Sequence, residues 1–292
     1  MKTFLQNSFT LCPMFIGQKL HGTSLAPKIL SEKLNKIKKF DHFLHHELKF
    51  SPGNSYFPGD HRQNLFNVLR HNRKIYNANT ERFSDSNLNI NLGGDHAIAI
   101  GSVSASLDKY KDDLVVVWID AHADINSLYS SLTKNIHGIP LHILTNPIDY
   151  DLGFKKLKYK QIIYIGLRDC DYYEVKLIND KQIKHWSSQE VNQLDKTDRR
   201  DSFLKALKFL TKSKKIHLSL DVDALDPEYI PCTGISVDNG LTLDFVKDII
   251  HTLKDDIINA DIVELNLDLK TIEEQEKSLN NTIDLINTFI DD

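Results

Sequence analysis

The chain has 292 residues, of which 41% are hydrophobic and 26% are charged, a balance typical of globular proteins. Its formal net charge of -4 at pH 7 argues against a polyanionic partner such as nucleic acid. No stretch is apolar for long enough to span a membrane, and the N-terminus lacks the apolar segment of a signal peptide. Cys12, Cys170 and Cys232 are odd in number and far apart, which argues against a disulfide framework. We therefore expect a soluble, cytoplasmic protein without a nucleic-acid or membrane partner.

The first half of the chain alternates between apolar runs and amphipathic segments. In chain order these patterns predict a strand at 9–17, a loop at 18–26, a helix at 27–38, irregular structure at 40–60 with turn signals at Pro52, Gly53, Pro58 and Gly59, a helix at 61–80, a strand at 88–92, a helix at 97–106 and a strand at 115–119. A polar loop at 127–136 follows, and His137-Gly138-Ile139-Pro140 leads towards another helix.

The second half continues the alternation. The patterns predict a strand at 161–166, a long helix at 187–213, a strand at 216–220, a loop at 226–240, a helix at 243–253, a strand at 260–266 and a helix at 271–290. Such an order predicts an α/β fold, a three-layer sandwich with a central, mainly parallel sheet. Because no linker or repeat divides the sequence, we expect residues 1–292 to form a single domain.

The run VVVWIDAHADINS, which starts at Val115, joins a strand to a cluster of polar residues. Its five apolar residues predict a strand buried on both faces. Asp120, His122 and Asp124 follow at alternate positions, and alternate residues of a strand point the same way. Two carboxylates and an imidazole at one point are costly unless a cation lies among them. The alternative is a strand end capped by solvated polar residues.

Similar residues follow two other predicted strands. His96 comes after 88–92, and Asp221 and Asp223 come after 216–220. The DxD pair is weak evidence alone, because it is equally typical of a turn, and a single histidine after a Gly-Gly turn is weak evidence too. Together the strand ends supply four carboxylates and two imidazoles, a set that suits Mn(II) or a similar ion better than Zn(II). Four carboxylates balance two divalent ions, which can acidify a shared water. The remaining negative charge favours a cationic substrate.

Several longer motifs resemble the ureohydrolase family, which contains arginase, agmatinase and formimidoylglutamase. These motifs are GGDHAIAIGS from Gly93, DAHADIN from Asp120, HGIP from His137, YIGLRD from Tyr164, DVDALDP from Asp221 and IVELN from Ile262. The resemblance implies an arginase-like fold with two Mn(II) ions per chain. One ion would be held by His96, Asp120, Asp124 and Asp221, and the other by Asp120, His122, Asp221 and Asp223.

The resemblance also implies catalytic roles. His137 matches the family's mobile proton shuttle, although a histidine on a surface loop is the simpler alternative. Glu264 matches the glutamate that orients the guanidinium group, and its alternative is an ordinary ion pair at a strand end. Asp124 completes the expected catalytic set.

The expected substrate depends on the residues that meet its other end. The resemblance implies that the α-carboxylate of arginine would be bound by Asn126, Ser131, Thr133 and Asn135, since similar positions bind it in arginases. Asp171 matches the arginase residue that contacts the α-amino group, and Glu174 lies nearby in sequence. The alternative for each is a solvated loop residue. The pattern favours hydrolysis of L-arginine to ornithine and urea over agmatinase or another guanidino or formimidoyl hydrolase.

One segment departs from the family pattern. In the loop 233–240, Ile235 replaces a hydroxyl residue and Ser236 replaces a proline. This departure motivates a second hypothesis, a metal-binding homologue without turnover. The resemblance further implies a homo-oligomer, a trimer or a hexamer.

Overall fold

A computed structural model describes residues 6–50, 55–150, 152–196 and 199–291. The described strands are β1 (Gln6–Cys12), β2 (Leu44–Glu47), β3 (Ser86–Gly93), β4 (Leu114–Ile119), β5 (Ile162–Leu167), β6 (Lys184–Ser187), β7 (Lys215–Asp221) and β8 (Ile257–Val263). They form one sheet in the order β2-β1-β3-β8-β7-β4-β5-β6, and all neighbouring strands are parallel. The α/β fold with a central parallel sheet is therefore confirmed. The turn signals Pro52 and Gly53 lie outside the described residues.

Helices cover both faces of this sheet. The α-helices of the described segments are α1 (Ala26–Leu34), α2 (His61–Asp85), α3 (Ala99–Tyr110), α4 (Pro140–Thr145), α5 (Tyr172–Asp180), α6 (Ser188–Lys196), α7 (Arg200–Leu210), α8 (Leu243–Leu253) and α9 (Ile272–Thr288). Apolar residues of α1 and α6–α9 pack in one cluster with the sheet, and those of α2–α5 pack in the clusters on its other side. None of the described helices is long and apolar enough to cross a membrane.

Strand β4 lies near the centre of the sheet and is buried along its whole length. Val117 and Ile119 pack in the cluster that contains α8, whereas Val116 and Trp118 pack in the cluster that contains α3. Burial of each large apolar side chain contributes about 1.5–3 kcal/mol. The predicted strand buried on both faces is thus confirmed. Its packing fixes the position from which the following residues extend.

The prediction of one long helix at 187–213 was wrong. The chain forms β6, then α6 and α7, with residues 197–198 outside the described segments. The expected irregular region 40–60 likewise contains β2. Both missed strands are short, lie at the edges of the sheet and carry polar side chains, so neither shows the apolar run of a central strand.

Other predicted bounds differ by a few residues. β1 ends at Cys12 rather than at residue 17, β8 begins and ends three residues early, and α1 ends at Leu34. Helix α5 was not predicted; most of its residues are exposed, and it begins at the capping box of Asp171 and Glu174.

Candidate metal centre and active site

Four neighbouring strands, β3, β8, β7 and β4, carry the residues of the site at their carboxyl ends. His96 lies three residues beyond β3, Asp120 directly follows β4, Asp221 is the last residue of β7, and Glu264 directly follows β8. The carboxyl ends of parallel strands lie at one edge of the sheet, where the binding sites of such folds are found. The topology therefore brings together residues that are up to 168 positions apart in sequence.

Gly94 allows two segments at this edge of the sheet to pack closely. A Cβ atom at Gly94 would lie 1.8 Å from the carbonyl oxygen of Met14, so another residue would push the two segments apart. The loop after β1 therefore packs directly against the turn that presents His96.

The first group of candidate ligands surrounds the imidazole of His96. Its Nδ1 atom lies 3.0 Å from Asp120 Oδ2, 3.2 Å from Asp124 Oδ2 and 3.3 Å from Asp221 Oδ2. This buried nitrogen nevertheless makes no hydrogen bond of good geometry within the described residues. A nitrogen that points among three carboxylate oxygens without hydrogen bonding fits a metal ligand better than it fits an ion pair.

The second group lies beside the first and shares Asp120 with it. His122 Nδ1 is 3.5 Å from Asp120 Oδ1 and 3.1 Å from Asp223 Oδ2. Asp221 Oδ1 accepts a hydrogen bond from the backbone N–H of Asp223 at 2.9 Å. The structure thus brings all six predicted ligands together, with one oxygen of Asp120 in each group. The role of Asp221 in the second group stays a prediction.

The convergence of Asp120, His122 and Asp124 does not arise from strand alternation. β4 ends at Ile119, and the following residues are irregular. Asp124 has a φ of 51°, in the left-handed region that few non-glycine residues adopt. Such a conformation costs on the order of 1–3 kcal/mol and is typical of functional sites. Glu264 shares this property, with a φ of 67°.

The carboxylates of the cluster strongly influence one another. Burial and the negative charges nearby raise the pKa of Asp223 to about 6 and that of Asp221 well above its usual range. Burial alone would raise the pKa of Asp120, but the imidazoles of His122 and His96 beside it outweigh this effect and hold the pKa low. Acids packed in this way require protons or a cation between them. The donor set therefore fits divalent metal ions.

His96 is held from two sides. Its ring stacks on Trp118, with centroids 4.0 Å apart and planes 8° from parallel, and its Nε2 lies 2.9 Å from Ser219 Oγ. Trp118 also donates its indole N–H to Asp120 Oδ2 at 2.9 Å. Such contacts orient metal ligands. Ser219 was not predicted from the sequence; it is the register partner of Trp118 on the neighbouring strand β4.

His137 and Glu264 form a pair at the floor of the site. His137 Nδ1 is 3.0 Å from Glu264 Oε1, which also accepts the backbone N–H of His96 at 2.9 Å. Burial alone would lower the pKa of His137, but the charge of Glu264 outweighs it and raises this pKa to about 9. Burial likewise opposes ionisation of Glu264, and His137 holds the pKa of Glu264 below its usual range. The arrangement favours an imidazolium beside a carboxylate.

A cavity of about 260 Å³ opens above this pair. The predicted site residues that line it are His122, Asp124, Asn126, Ser131, Thr133, His137, Asp171, Glu174, Asp221, Asp223 and Glu264. No lysine or arginine is among the described residues that line it, so the cavity suits a cationic ligand. Asn135 does not line the cavity; its backbone N–H donates to Thr133 Oγ1 at 3.3 Å.

The predicted substrate residues of two segments are joined by hydrogen bonds. Asn126 donates its amide N–H to Asp171 Oδ2 at 2.5 Å, and Asp171 Oδ1 accepts the N–H groups of Tyr173 and Glu174 at the start of α5. Glu174 in turn accepts the N–H of Ile125 at 3.2 Å. Burial raises the pKa of Glu174 to about 7. This network joins the start of α5 to the segment that follows β4.

Comparisons with known proteins identify the family of the chain. The Arginase family model matches residues 8–288. Arginase from Coccidioides posadasii is 36% identical over 219 residues, a match that spans 70% of this chain and 66% of that protein. Arginase-1 from Oryctolagus cuniculus is 33% identical over 290 residues, 94% of this chain and 89% of that protein.

A solved structure has the same fold. The crystal structure of Entamoeba histolytica arginase in complex with L-ornithine superposes with a TM-score of 0.86 at 27% identity, over 98% of this chain and 99% of the other. With a family model that matches nearly the whole sequence, and with relatives of this similarity, the chain belongs to the arginase family of ureohydrolases.

Proposed function

We propose that this protein is a Mn(II)-dependent hydrolase that cleaves the guanidino group of L-arginine to give ornithine and urea. The observation that carries the proposal is the cluster of four carboxylates and two imidazoles beside the His137–Glu264 pair, at the floor of an acidic cavity. Membership of the arginase family supports the same reaction class.

The six ligands fit two divalent ions, with His96, Asp120, Asp124 and Asp221 in one set and Asp120, His122, Asp221 and Asp223 in the other. Ions bound there would supply Lewis acidity, which generates a nucleophile from water at neutral pH. Carboxylate oxygen with some imidazole nitrogen is the donor set that suits Mn(II).

Glu264 is the residue that we expect to orient the guanidinium. A carboxylate pairs with this planar cation through two hydrogen bonds. Glu264 is buried, ionised beside His137 and exposed to the cavity at its floor. It therefore places the central carbon of a guanidinium close to the ligand cluster.

His137 is the residue that we expect to protonate the leaving amine. Its raised pKa keeps the imidazole protonated at neutral pH, and it lies in the cavity wall next to Glu264. A proton held at this place can pass to the nitrogen that leaves when the carbon–nitrogen bond breaks, as general acids do.

The far end of the cavity favours arginine over agmatine. Asn126, Ser131 and Thr133 are neutral residues that can donate to an α-carboxylate, and Asp171 and Glu174 line the same cavity with carboxyl groups that can accept from an α-amino group. The Entamoeba histolytica relative was solved with L-ornithine, which would be one product here. We also propose a cytoplasmic homo-oligomer, a trimer or a hexamer, because the family resemblance implies it.

The proposal is tested by urea release from the Mn(II)-loaded protein. L-Arginine, agmatine and formimidoylglutamate are compared as substrates at equal concentration, and formamide is measured alongside urea. We expect urea from L-arginine at a rate far above that from agmatine. Preference for agmatine or formimidoylglutamate would contradict the substrate, and no turnover of any of them would contradict the hydrolase.

A further inference from the structure

The loop after β1 brings a buried glutamine to the catalytic pair. Gln18 is 3% exposed, and its Nε2 donates to Glu264 Oε2 at 2.5 Å across 246 positions of sequence. The sequence of the 18–26 loop does not predict a role for Gln18, because a polar residue in a glycine-containing loop is expected to be solvated. In the structure Gln18 is instead buried and hydrogen-bonded to a buried carboxylate, which indicates a specific role.

The backbone of Gly17, the preceding residue, forms hydrogen bonds with two other segments of the chain. Its N–H donates to Asp95 Oδ2 at 2.7 Å, and its carbonyl accepts the N–H groups of Ile136 and His137 at 2.7 and 3.2 Å. A Cβ atom at Gly17 would lie 2.8 Å from both carboxylate oxygens of Asp95, so the close approach requires glycine. The backbone that carries His137 is thereby tied to the loop after β1.

These contacts meet at Glu264. Its Oε1 accepts from His137 Nδ1 and from the backbone N–H of His96, and its Oε2 accepts from Gln18. Gln18 is thus the side-chain donor that holds the second carboxylate oxygen, while Gly17 holds the backbone of the partner imidazole. A rotation of the Glu264 carboxylate would break the bond to Gln18.

We infer that Gln18 is a positioning residue for the reaction: it fixes the orientation of the Glu264 carboxylate, and with Gly17 it sets the distance between Glu264 and His137. The inference rests on the proposed function. A neutral amide suits the task, since it donates to the carboxylate without neutralising the charge that attracts a guanidinium. A misplacement of about 1 Å in such a group can cost about 100-fold in rate.

The chain offers a matched control. Gln161 is also 3% exposed, and its Nε2 donates to the carbonyl oxygens of Lys111 and Leu114, both at 2.8 Å. It precedes β5, at the sheet edge opposite the site. Gln18→Met and Gln161→Met both remove a buried amide donor and keep a side chain of similar length. Gln18→Asn adds a variant that keeps the amide but shortens its reach.

The experiment compares the Mn(II)-loaded variants by metal content, by kcat and KM for arginine, and by crystal structure. We expect Gln18→Met and Gln18→Asn to keep their metal and to lose about 10- to 100-fold in kcat. We also expect the Glu264–His137 separation to exceed about 3.5 Å, the limit of a hydrogen bond. Gln161→Met should lower the melting temperature but keep kcat within about twofold of wild type.

The outcomes separate this inference from the proposed function. An unchanged kcat in both Gln18 variants with Glu264 in place, or equal losses in the Gln18 and Gln161 variants, would overturn the positioning role. If the wild type turned over no guanidino compound, the proposed function would fail. The crystal structures would still decide whether Gln18 sets the Glu264–His137 geometry.

Discussion

The two ends of the cavity are built in different ways. At one end, here called the metal end, the proposed ligands follow the ends of central strands, and both His96 and Asp120 are fully buried. At the substrate end, candidate residues lie on the 127–135 segment, where Tyr129 and Leu132 are 92% and 94% exposed. The first end is fixed by the sheet, whereas the second depends on a loop that is held by local hydrogen bonds.

This difference separates two kinds of function. A ligand cluster requires positions that remain fixed to a few tenths of an ångström, and strand ends supply them. A recognition loop has to admit and release a substrate, and exposed loops suit that task. Changes at the metal end should therefore abolish the reaction, while changes at the substrate end should alter affinity and selectivity.

The largest effect should come from Asp221→Ala. Asp221 faces His96 and also binds the backbone of Asp223, so its removal should disturb both ligand groups. We expect loss of bound Mn(II) and a fall in rate of more than about a thousandfold, since even indirect contacts to a metal are worth 10- to 100-fold. Metal analysis and urea release measure the two losses. Retention of metal with full activity would contradict the ligand role.

His137→Asn should separate metal binding from proton transfer. The side chain contacts Glu264 rather than the ligand cluster, so the metal content should stay unchanged while kcat falls about 100- to 10,000-fold. His142→Asn is the matched control, because this half-buried histidine on α4 bonds Asn146 and does not line the cavity. Loss of metal from His137→Asn would show that its role is structural.

Asn126→Ala should have a smaller and more selective effect. Asn126 lines the substrate end, so we expect KM for L-arginine to rise about tenfold, the value of a hydrogen bond to a charged group, with little change for agmatine. Asn135→Ala should leave both KM values within about twofold, because Asn135 does not line the cavity. Equal effects of the two substitutions would contradict this division of the loop.

The last prediction concerns the pH dependence of stability rather than activity. The pKa of Glu174 is raised from 4.5 to about 7 by burial, so the folded state favours its protonated form. The stability it contributes is fully present below pH 4.5 and is lost as the pH rises through 7. Between these limits, the unfolding free energy of the wild type should fall relative to Glu174→Gln by up to about 3 kcal/mol. A constant difference across this range would show that the shift does not exist.

The convergence of residues at the metal end could be predicted from the sequence better than the arrangement of the substrate end, for a physical reason. Apolar runs such as Val115–Ile119 identify central strands, and the polar residues that follow them must meet at one edge of a parallel sheet. The contact of His96 with Asp120 and Asp221 follows from this rule. The left-handed backbone at Asp124 does not follow from this rule, because no local pattern of the sequence predicts it.

Residues that act through long-range contacts were not predictable in this way. Gln18 and Ser219 resemble ordinary polar positions of a loop and a strand, and only the folded chain shows that they meet Glu264 and His96. Asn135 shows the reverse case, since Thr133 and His137, two residues away on either side, line the cavity and Asn135 does not. The short edge strands β2 and β6 were missed because edge positions lack the apolar signal of the sheet centre.

The measurement that tests the account most directly is the metal content of the reconstituted protein, read together with urea release from L-arginine. We expect two Mn(II) ions per chain and a rate that rises as the second ion binds. A protein that releases urea at full rate with one ion, or that binds no manganese at all, would contradict the shared role of the six ligands.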